Sequence, residues 1–320
     1  MEIKNFDDLR ERVQEKFQNG EYQSVFELAA KYSSQYPEEF PLLQYWKICS
    51  SVRLGNSSIA LNLLHEVVDQ GYWYGEVLLR KSPSLEPIQG SEEFEKLVEL
   101  NNEKRAVNQS SIYPLITIRS EGACQSGSLA CPLLIGLHGN GSTAQASVDF
   151  WKPAANAGWL VGVPQSSQAM WKDAYIWDDL EISKREIRQD YENLIHQYAV
   201  DRDRVVLAGH SMGGEVAIWL ALSGAMEVSG FIAVGPGGPF MDEPASWQEI
   251  IELNREHTLR GYIIAGEKDF SISHTNIQVL VDLLNSRGIE CELEVLPDVG
   301  HEFTPDFEPA LLRGLDFIHL

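Results

Sequence analysis

The first third of the chain carries apolar residues at helical spacing. Four of them recur every three or four positions, which places them on one face of a helix: Phe6, Leu9, Val13 and Phe17. The Asn19-Gly20 pair that follows favours the end of that helix. The pattern therefore predicts a helical region at the start of the chain.

Two blocks of this region resemble each other at an offset of 35 residues. They begin at Gly20-Glu21 and Gly55-Asn56, and their apolar positions align. The aligned positions are Val25, Phe26, Leu28, Ala29 and Tyr32 with Ala60, Leu61, Leu63, Leu64 and Val67. The echo resembles a tetratricopeptide-type repeat, in which paired helices stack on one another. The aromatic motif Gly71-Tyr72-Trp73-Tyr74 is expected to pack between hairpins rather than to form a binding surface.

The hydrophobic pattern changes after a polar stretch at Asn101–Gln109. This stretch marks the expected boundary between a helical domain at residues 1–107 and a second domain at residues 108–320. The second domain carries short apolar runs that predict seven strands: Tyr113–Ile118, Leu133–Leu137, Leu160–Val163, Val205–Ala208, Phe231–Val234, Tyr262–Ala265 and Leu293–Leu296. Helical stripes lie between most of them. This alternation predicts an α/β fold, with a mostly parallel sheet that helices cover on both faces.

A G-x-S-x-G pattern lies between the fourth predicted strand and an apolar helix. It reads Gly209-His210-Ser211-Met212-Gly213. A serine at such a turn has its hydroxyl exposed above the sheet edge, next to the positive end of the helix dipole. The pattern alone is weak, because a glycine-rich turn that only joins strand to helix has the same sequence. Its partners elsewhere in the chain must decide between the two interpretations.

Composition and charge exclude several classes of function. Hydrophobic residues make up 44% of the chain and charged residues 22%, which is typical of a soluble globular protein. The net charge is −22 and both predicted domains are acidic, which argues against binding nucleic acid or an anionic membrane surface. No apolar run approaches the ~20 residues of a membrane span, and the first residues lack a signal-peptide pattern. We therefore expect a cytoplasmic protein.

The four cysteines form no C-x-x-C pair and no zinc-binding spacing. Cys124 and Cys131 lie close enough in sequence to close a small loop, but reduced thiols are expected in a cytoplasm. There is no H-E-x-x-H motif and no calcium-loop pattern, so no metal site is predicted.

Ser211 needs a base to take its proton and an acid to orient that base. His301 is the candidate base, because its loop follows the last predicted strand and should reach the same sheet edge. Asp269 follows another strand at that edge, with Glu267 and Asp298 as rivals. Asp269 is favoured because the order Ser, Asp, His is that of the α/β-hydrolase arrangement.

A glycine-rich loop after the second predicted strand is the candidate oxyanion hole. It reads His138-Gly139-Asn140-Gly141. The expected oxyanion donors are the backbone N–H groups of Asn140 and of Met212, the residue after the candidate nucleophile. His138 is expected to brace this loop by hydrogen bonds rather than to take part in chemistry.

Together these segments resemble the α/β-hydrolases of the phospholipase/carboxylesterase type, a group that includes small esterases and acyl-protein thioesterases. The resemblance covers residues 108–320. It rests on Leu137–Gly141, Pro164–Ser167, Trp177–Asp179, Gly209–Gly214, Gly266–Asp269 and Gly300-His301. One departure is Met212, because many members of the group have glutamine after the nucleophile.

The triad and the resemblance predict a serine hydrolase that cleaves carboxylic esters through an acyl-enzyme, with no cofactor. The expected substrate is a small-molecule ester. Trp177, Phe240 and Phe270 are predicted to contact it, with local packing as the alternative for each. The segment Pro236–Trp247 is a candidate lid.

Two other functions remain compatible with the sequence. The same triad would serve an acyl thioesterase or a peptidase. The chain would alternatively be an interaction protein, whose repeat-like helices bind a protein partner or a second copy while the hydrolase part acts as a scaffold. The presence of Ser211, Asp269 and His301 together argues against the scaffold hypothesis.

Overall fold

The computed structural model describes residues 3–109, 113–124, 129–253, 259–304 and 307–319. It divides the chain into two compact units. The helical unit comprises Met1–Ser110 with the short segment Ala169–Lys172, and the sheet unit comprises Ser111–Gln168 and Asp173–Leu320. Among the described residues, no helix is both long and apolar enough to cross a membrane.

The described residues of the helical unit form six α-helices, in agreement with the helical region that the apolar spacing predicts. They are α1 (Phe6–Gln18), α2 (Tyr22–Tyr32), α3 (Phe40–Arg53), α4 (Ser57–Asp69), α5 (Glu76–Arg80) and α6 (Glu92–Asn108). Their buried faces form one apolar cluster around Leu9 and Val25 and a second around Leu64 and Phe94.

The sequence echo corresponds to a repeated turn. Gly20 and Gly55 follow the ends of α1 and α3 with positive φ values of 75° and 78°. In each turn the residue after the glycine donates its N–H to a carbonyl five positions earlier, at 2.9 and 2.8 Å. These bonds satisfy carbonyls at the end of the preceding helix. A relation to tetratricopeptide repeats stays a prediction.

The aromatic motif at residues 71–74 packs inside the helical unit, in agreement with its expected role. Trp73 and Tyr74 are buried. The buried Asn101 side chain accepts the N–H of Tyr74 at 2.7 Å and donates to its carbonyl at 2.8 Å. The Tyr74 hydroxyl donates to the Pro41 carbonyl at 2.7 Å.

The sheet unit contains a sheet of seven strands: β1 (Ile116–Ile118), β2 (Cys131–Leu137), β3 (Leu160–Val163), β6 (Val200–His210), β7 (Gly230–Val234), β8 (Arg260–Gly266) and β9 (Cys291–Leu296). Their order across the sheet is β1-β3-β2-β6-β7-β8-β9. β1 is antiparallel to β3, and the other pairs are parallel. The prediction of a mostly parallel α/β fold is confirmed. The sequence pattern missed two short strands, β4 (Gln168–Trp171) and β5 (Ala174–Ile176).

Helices cover both faces of this sheet. They are α7 (Ala144–Asn156), α8 (Leu180–Gln197), α9 (Met212–Leu222), α10 (Pro239–Asp242), α11 (Trp247–Leu253), α12 (His274–Ser286) and α13 (Phe307–Ile318). Alternate strand residues point to opposite faces. Leu133 and Val205 therefore share a core with residues of α8, α9 and α12, whereas Leu134 and Val206 share one with α7 and α13.

The register aligns the carboxyl ends of five strands. Leu137 of β2 lies opposite Gly209 of β6, and His210 lies opposite Val234 of β7. Gly266 of β8 lies opposite Leu296 of β9. Loops that are far apart in sequence therefore meet at one sheet edge, where ligands bind in α/β folds.

The expectation of four reduced cysteines is wrong. Cys124 and Cys131 form a disulfide, with their Cα atoms 5.3 Å apart. Both are fixed against Ala199, which donates to the Cys124 carbonyl at 3.0 Å and accepts from the Cys131 N–H at 2.9 Å. These backbone bonds place the two side chains within bonding range, which spacing alone does not show. Cys49 and Cys291 are free and buried.

Candidate active site

Ser211 occupies a sharp turn between β6 and α9. Its φ of 54° and ψ of −124° are rare for a residue with a side chain, because they crowd Cβ against the backbone. The turn is so tight that a Cβ on Gly209 would lie 2.2 Å from the carbonyl oxygen of Gly213. The Ser211 N–H donates to the Val234 carbonyl at 2.9 Å, which fixes the turn to the neighbouring strand.

His301 bridges Ser211 and Asp269. Its Nε2 lies 2.9 Å from Ser211 Oγ, and its Nδ1 lies 2.6 Å from Asp269 Oδ2. Because an ionised carboxylate only accepts, Nδ1 carries the proton of the neutral ring and Nε2 accepts from the serine hydroxyl. Asp269 is buried, and its other oxygen accepts the Ser271 N–H at 2.9 Å.

The two rival carboxylates have other partners. Glu267 Oε2 accepts the N–H of Asp298 at 3.2 Å. Asp298 forms an exposed ion pair with Lys268 at 2.6 Å, and this bond lowers the pKa of the Asp298 carboxyl. The geometry therefore favours Asp269 as the partner of His301.

A glycine lies directly against the histidine and the aspartate. A Cβ on Gly235 would be 3.2 Å from Asp269 Oδ2 and 3.3 Å from His301 Nδ1. Gly235 follows β7, and its N–H donates to the Ile264 carbonyl at 2.7 Å. The backbone after β7 therefore packs directly against the side chains of Asp269 and His301.

The loop after β2 lies on another side of Ser211. A Cβ on Gly139 would lie 3.6 Å from Ser211 Cβ and 2.9 Å from His210 Nδ1. In the described part of the chain, no hydrogen bond uses the N–H of Asn140 or of Met212. Both N–H groups therefore stay candidates for the oxyanion donors that the sequence predicts.

Buried polar side chains hold this loop. His138 Nδ1 donates to the Gly139 carbonyl at 2.9 Å, and its Nε2 accepts from the N–H of Ser166 at 3.3 Å. Burial lowers the pKa of His138 to about 4, so the ring is neutral at neutral pH. The Gln165 amide lies 3.2 Å from His138 Nε2. His138 has the bracing contacts that the sequence analysis expects.

The three predicted substrate-binding aromatic residues lie in different environments. Trp177 is buried and its indole N–H donates to the His138 carbonyl at 2.9 Å, which argues against contact with substrate. Phe240 is half-buried and packs on Trp247, with ring centroids 5.0 Å apart. Phe270 directly follows Asp269 and is 87% exposed.

One polar residue of this region was missed by the sequence analysis. Glu215 lies in the first turn of α9 and is buried. Burial raises the pKa of its carboxyl to about 7. The signal was a single acidic residue in the otherwise apolar helix sequence MGGEVAIWLAL. Among the described residues, no group of three or more histidine, cysteine, aspartate or glutamate side chains could hold a metal ion.

The fold is that of an α/β-hydrolase with an additional helical region before the sheet. Residues 155–311 match the Dienelactone hydrolase family, and residues 8–109 match the family described as A/B hydrolase-like, N-terminal domain. The chain therefore has an α/β-hydrolase fold, and the resemblance noted from its motifs is confirmed. A search of curated proteins found no match.

Several solved structures share the fold. An uncharacterized protein from Bacillus cereus is 23% identical, with 98% of this chain and 99% of that chain covered and a TM-score of 0.54. Esterase PE8 is 17% identical, with coverage of 64% and 99% and a TM-score of 0.52. The Staphylococcus aureus fluorophosphonate-binding serine hydrolase FphF is 14% identical, with coverage of 64% and 98% and a TM-score of 0.50.

Proposed function

We propose that the protein is a serine hydrolase that cleaves carboxylic esters through an acyl-enzyme. The observation that carries this proposal is the double contact of His301, whose two ring nitrogens lie 2.9 Å from Ser211 Oγ and 2.6 Å from Asp269 Oδ2. A serine hydroxyl is a weak nucleophile, and these contacts supply the base and the orienting acid that activate it.

The reaction proceeds in two stages. Ser211 Oγ attacks the ester carbonyl while His301 Nε2 accepts its proton, and Asp269 stabilises the imidazolium that forms. The imidazolium then protonates the leaving alcohol, and the acyl group stays on Ser211. His301 next takes a proton from water, which attacks the acyl-enzyme and releases the carboxylic acid.

The negative oxygen of each tetrahedral intermediate binds the N–H groups of Asn140 and Met212. The position of the Gly139 loop against Ser211 supports this assignment. Met212 is the first residue of α9, so the positive end of the helix dipole adds to the stabilisation. Each such donor is typically worth about 3 kcal/mol in the transition state.

The steady-state hydrolysis of p-nitrophenyl esters of increasing acyl length tests this proposal. We expect the wild type to turn over at least the acetate ester, and Ser211→Ala to lower kcat by about 10⁶-fold, because residues of a triad act as a unit. Ser286→Ala, which changes an exposed serine at the end of α12, is the matched control and should keep wild-type kcat. Turnover that survives in Ser211→Ala would refute the proposal.

A substrate panel with one shared acyl group separates ester hydrolysis from the two related activities. An oxygen ester, a thioester and an amide of the same acid would be compared by kcat/KM. We expect the highest kcat/KM for the oxygen ester. A higher value for the thioester or the amide would assign the same residues to a thioesterase or a peptidase.

A further inference from the structure

Glu215 is a buried carboxyl group that the proposed reaction does not use. It lies in the first turn of α9, four residues after Ser211, and is 2% exposed. Burial raises the pKa of its carboxyl to about 7, because moving the charged form out of water is unfavourable. An apolar side chain would fill this position without that cost. The presence of a carboxylate therefore calls for a structural or functional reason.

The carboxylate binds the segment that follows β7. Glu215 Oε2 accepts the N–H of Met241 at 2.8 Å, and the N–H of Phe240 also stabilises the charged form. The chain passes so close that a Cβ on Gly238 would lie 2.4 Å from Glu215 Oε1. Residues 238–241 are thus held against one side chain of α9.

The other end of the same segment lies against the candidate triad. The N–H of Gly237 donates to the Ser211 carbonyl at 3.2 Å. A Cβ on Gly235 would make tight contacts with the Asp269–His301 pair, at 3.2 and 3.3 Å. At most five residues separate these contacts from those made by Glu215. A displacement at the Glu215 end would therefore be transmitted to the backbone beside the nucleophile.

We propose that Glu215 is a positioning residue for the nucleophile. By holding residues 238–241, its carboxylate keeps residues 235–237 in contact with Ser211 and His301. This inference rests on the proposed function, because it assigns Glu215 a role in the reaction of that same site. Glu215 is buried and acts through the segment, so it is distinct from the residues that touch substrate.

The first test compares Glu215→Ala and Glu215→Gln with the wild type in p-nitrophenyl acetate hydrolysis. Titration of active sites with a fluorophosphonate would correct each kcat for the folded fraction. Small displacements of reacting groups cost up to about 100-fold, so we expect Glu215→Ala to lower kcat by about 10- to 100-fold while KM changes less than about threefold. Glu215→Gln should lie between it and the wild type, because the amide keeps one acceptor oxygen.

The control for stability is Leu220→Ala, which removes buried methyl groups five residues further along α9. It should lower the melting temperature as much as Glu215→Ala or more, and keep kcat within about threefold of the wild type. A Glu215→Ala protein with a lowered melting temperature and wild-type kcat would overturn the inference, since Glu215 would then have a structural role alone.

A double-mutant cycle tests the contact from the side of the segment. Gly238→Ala should lower kcat about tenfold or more in the presence of Glu215, because its Cβ would meet the carboxylate. In the Glu215→Ala background the same change should have a smaller effect, because the contact with the carboxylate is gone and only the strain of an alanine at a φ of 152° is left. Additive effects would overturn the inference. A wild type that neither hydrolyses esters nor reacts with the fluorophosphonate would refute the proposed function, and the inference with it.

Discussion

Two glycine-rich segments flank Ser211, and different buried side chains hold them in place, a neutral histidine for one and a carboxyl group for the other. Residues 138–141 follow β2 and are braced by His138, a ring that burial keeps neutral, with a pKa of about 4. Residues 235–241 follow β7 and are held by the carboxyl group of Glu215, whose pKa burial raises to about 7. One segment presents the predicted oxyanion donor, and the other lies against the histidine and the aspartate.

The difference shows that similar sequence patterns can depend on different buried groups. Both segments follow a buried strand and both bring backbone close to Ser211. A neutral brace keeps its hydrogen bonds throughout the neutral pH range, whereas the carboxyl group titrates within it. The segments should therefore respond differently to substitution and to pH.

The greatest loss of kcat is expected from a change in Asp269 or His301, the two residues that Gly235 lies against. Asp269→Asn should lower kcat by about 10⁴-fold, because an amide favours the wrong tautomer of His301. The measurement is kcat for p-nitrophenyl acetate, with Glu267→Gln as the control at the neighbouring carboxylate. A decrease below tenfold for Asp269→Asn, or an equal decrease for both variants, would contradict the assignment.

A smaller effect is expected on the side of the 138–141 segment. Asn140→Pro removes the backbone N–H that we assign to the oxyanion hole, and should lower kcat by about 10²- to 10³-fold. Asn140→Ala keeps that N–H and should lose much less. Equal losses in the two variants would place the role of Asn140 in its side chain instead of its backbone.

The pH dependence of stability should separate the two braces. Between pH 4.5 and 7 the folded protein keeps the Glu215 proton that the unfolded chain releases, so this group lowers stability as the pH rises. Between pH 6.5 and 4 the unfolded chain takes up a proton at His138 that the folded protein excludes, so this group lowers stability as the pH falls. In the wild type the two contributions oppose each other.

Urea unfolding of the wild type, Glu215→Gln and His138→Gln at several pH values measures these contributions. Each shift corresponds to about 3 kcal/mol over its full pH range. The stability of Glu215→Gln should rise more steeply than that of the wild type as the pH increases from 4.5 to 7. The stability of His138→Gln should fall more steeply over the same range. Parallel curves for all three proteins would contradict both pKa shifts.

The smallest difference is expected in the free energy of unfolding, when one buried tryptophan beside each segment is replaced by phenylalanine. Trp177 donates its indole N–H to the His138 carbonyl, whereas the buried Trp247 N–H has no hydrogen-bond partner among the described residues. Trp177→Phe should cost about 1–3 kcal/mol more than Trp247→Phe in the free energy of unfolding, since it leaves a buried acceptor unsatisfied. Urea unfolding at one pH would measure the difference, and equal costs would contradict the bracing role of Trp177.

Much of the fold could be predicted from the sequence because its signals are local. The strand Leu160–Val163 has the limits that its apolar run predicts, and Gly20 ends a helix as expected. The four-residue run Val205–Ala208 predicts a strand that extends over Val200–His210. Apolar runs identify the buried part of a strand and give no signal for its exposed ends.

The parts that were missed depend on contacts between distant residues. The Cys124–Cys131 disulfide follows from hydrogen bonds to Ala199, and no spacing rule contains that information. The sequence predicts that Trp177 contacts substrate because it is an aromatic residue near the site. In the structure its indole N–H donates to the His138 carbonyl instead. The only signal for Glu215 was an acidic residue in an apolar helix sequence. Its hydrogen-bond partners, Phe240 and Met241, are 25 and 26 positions away in the chain.

Whether Ser211 is the nucleophile is tested by the intact mass of the protein after reaction with a fluorophosphonate, followed by mapping of the labelled peptide. We expect one adduct per chain on Ser211 in the wild type, no adduct in Ser211→Ala, and slowed labelling in His301→Ala. An adduct that persists in Ser211→Ala, or a folded wild type that forms none, would contradict the claim that Ser211 is the nucleophile.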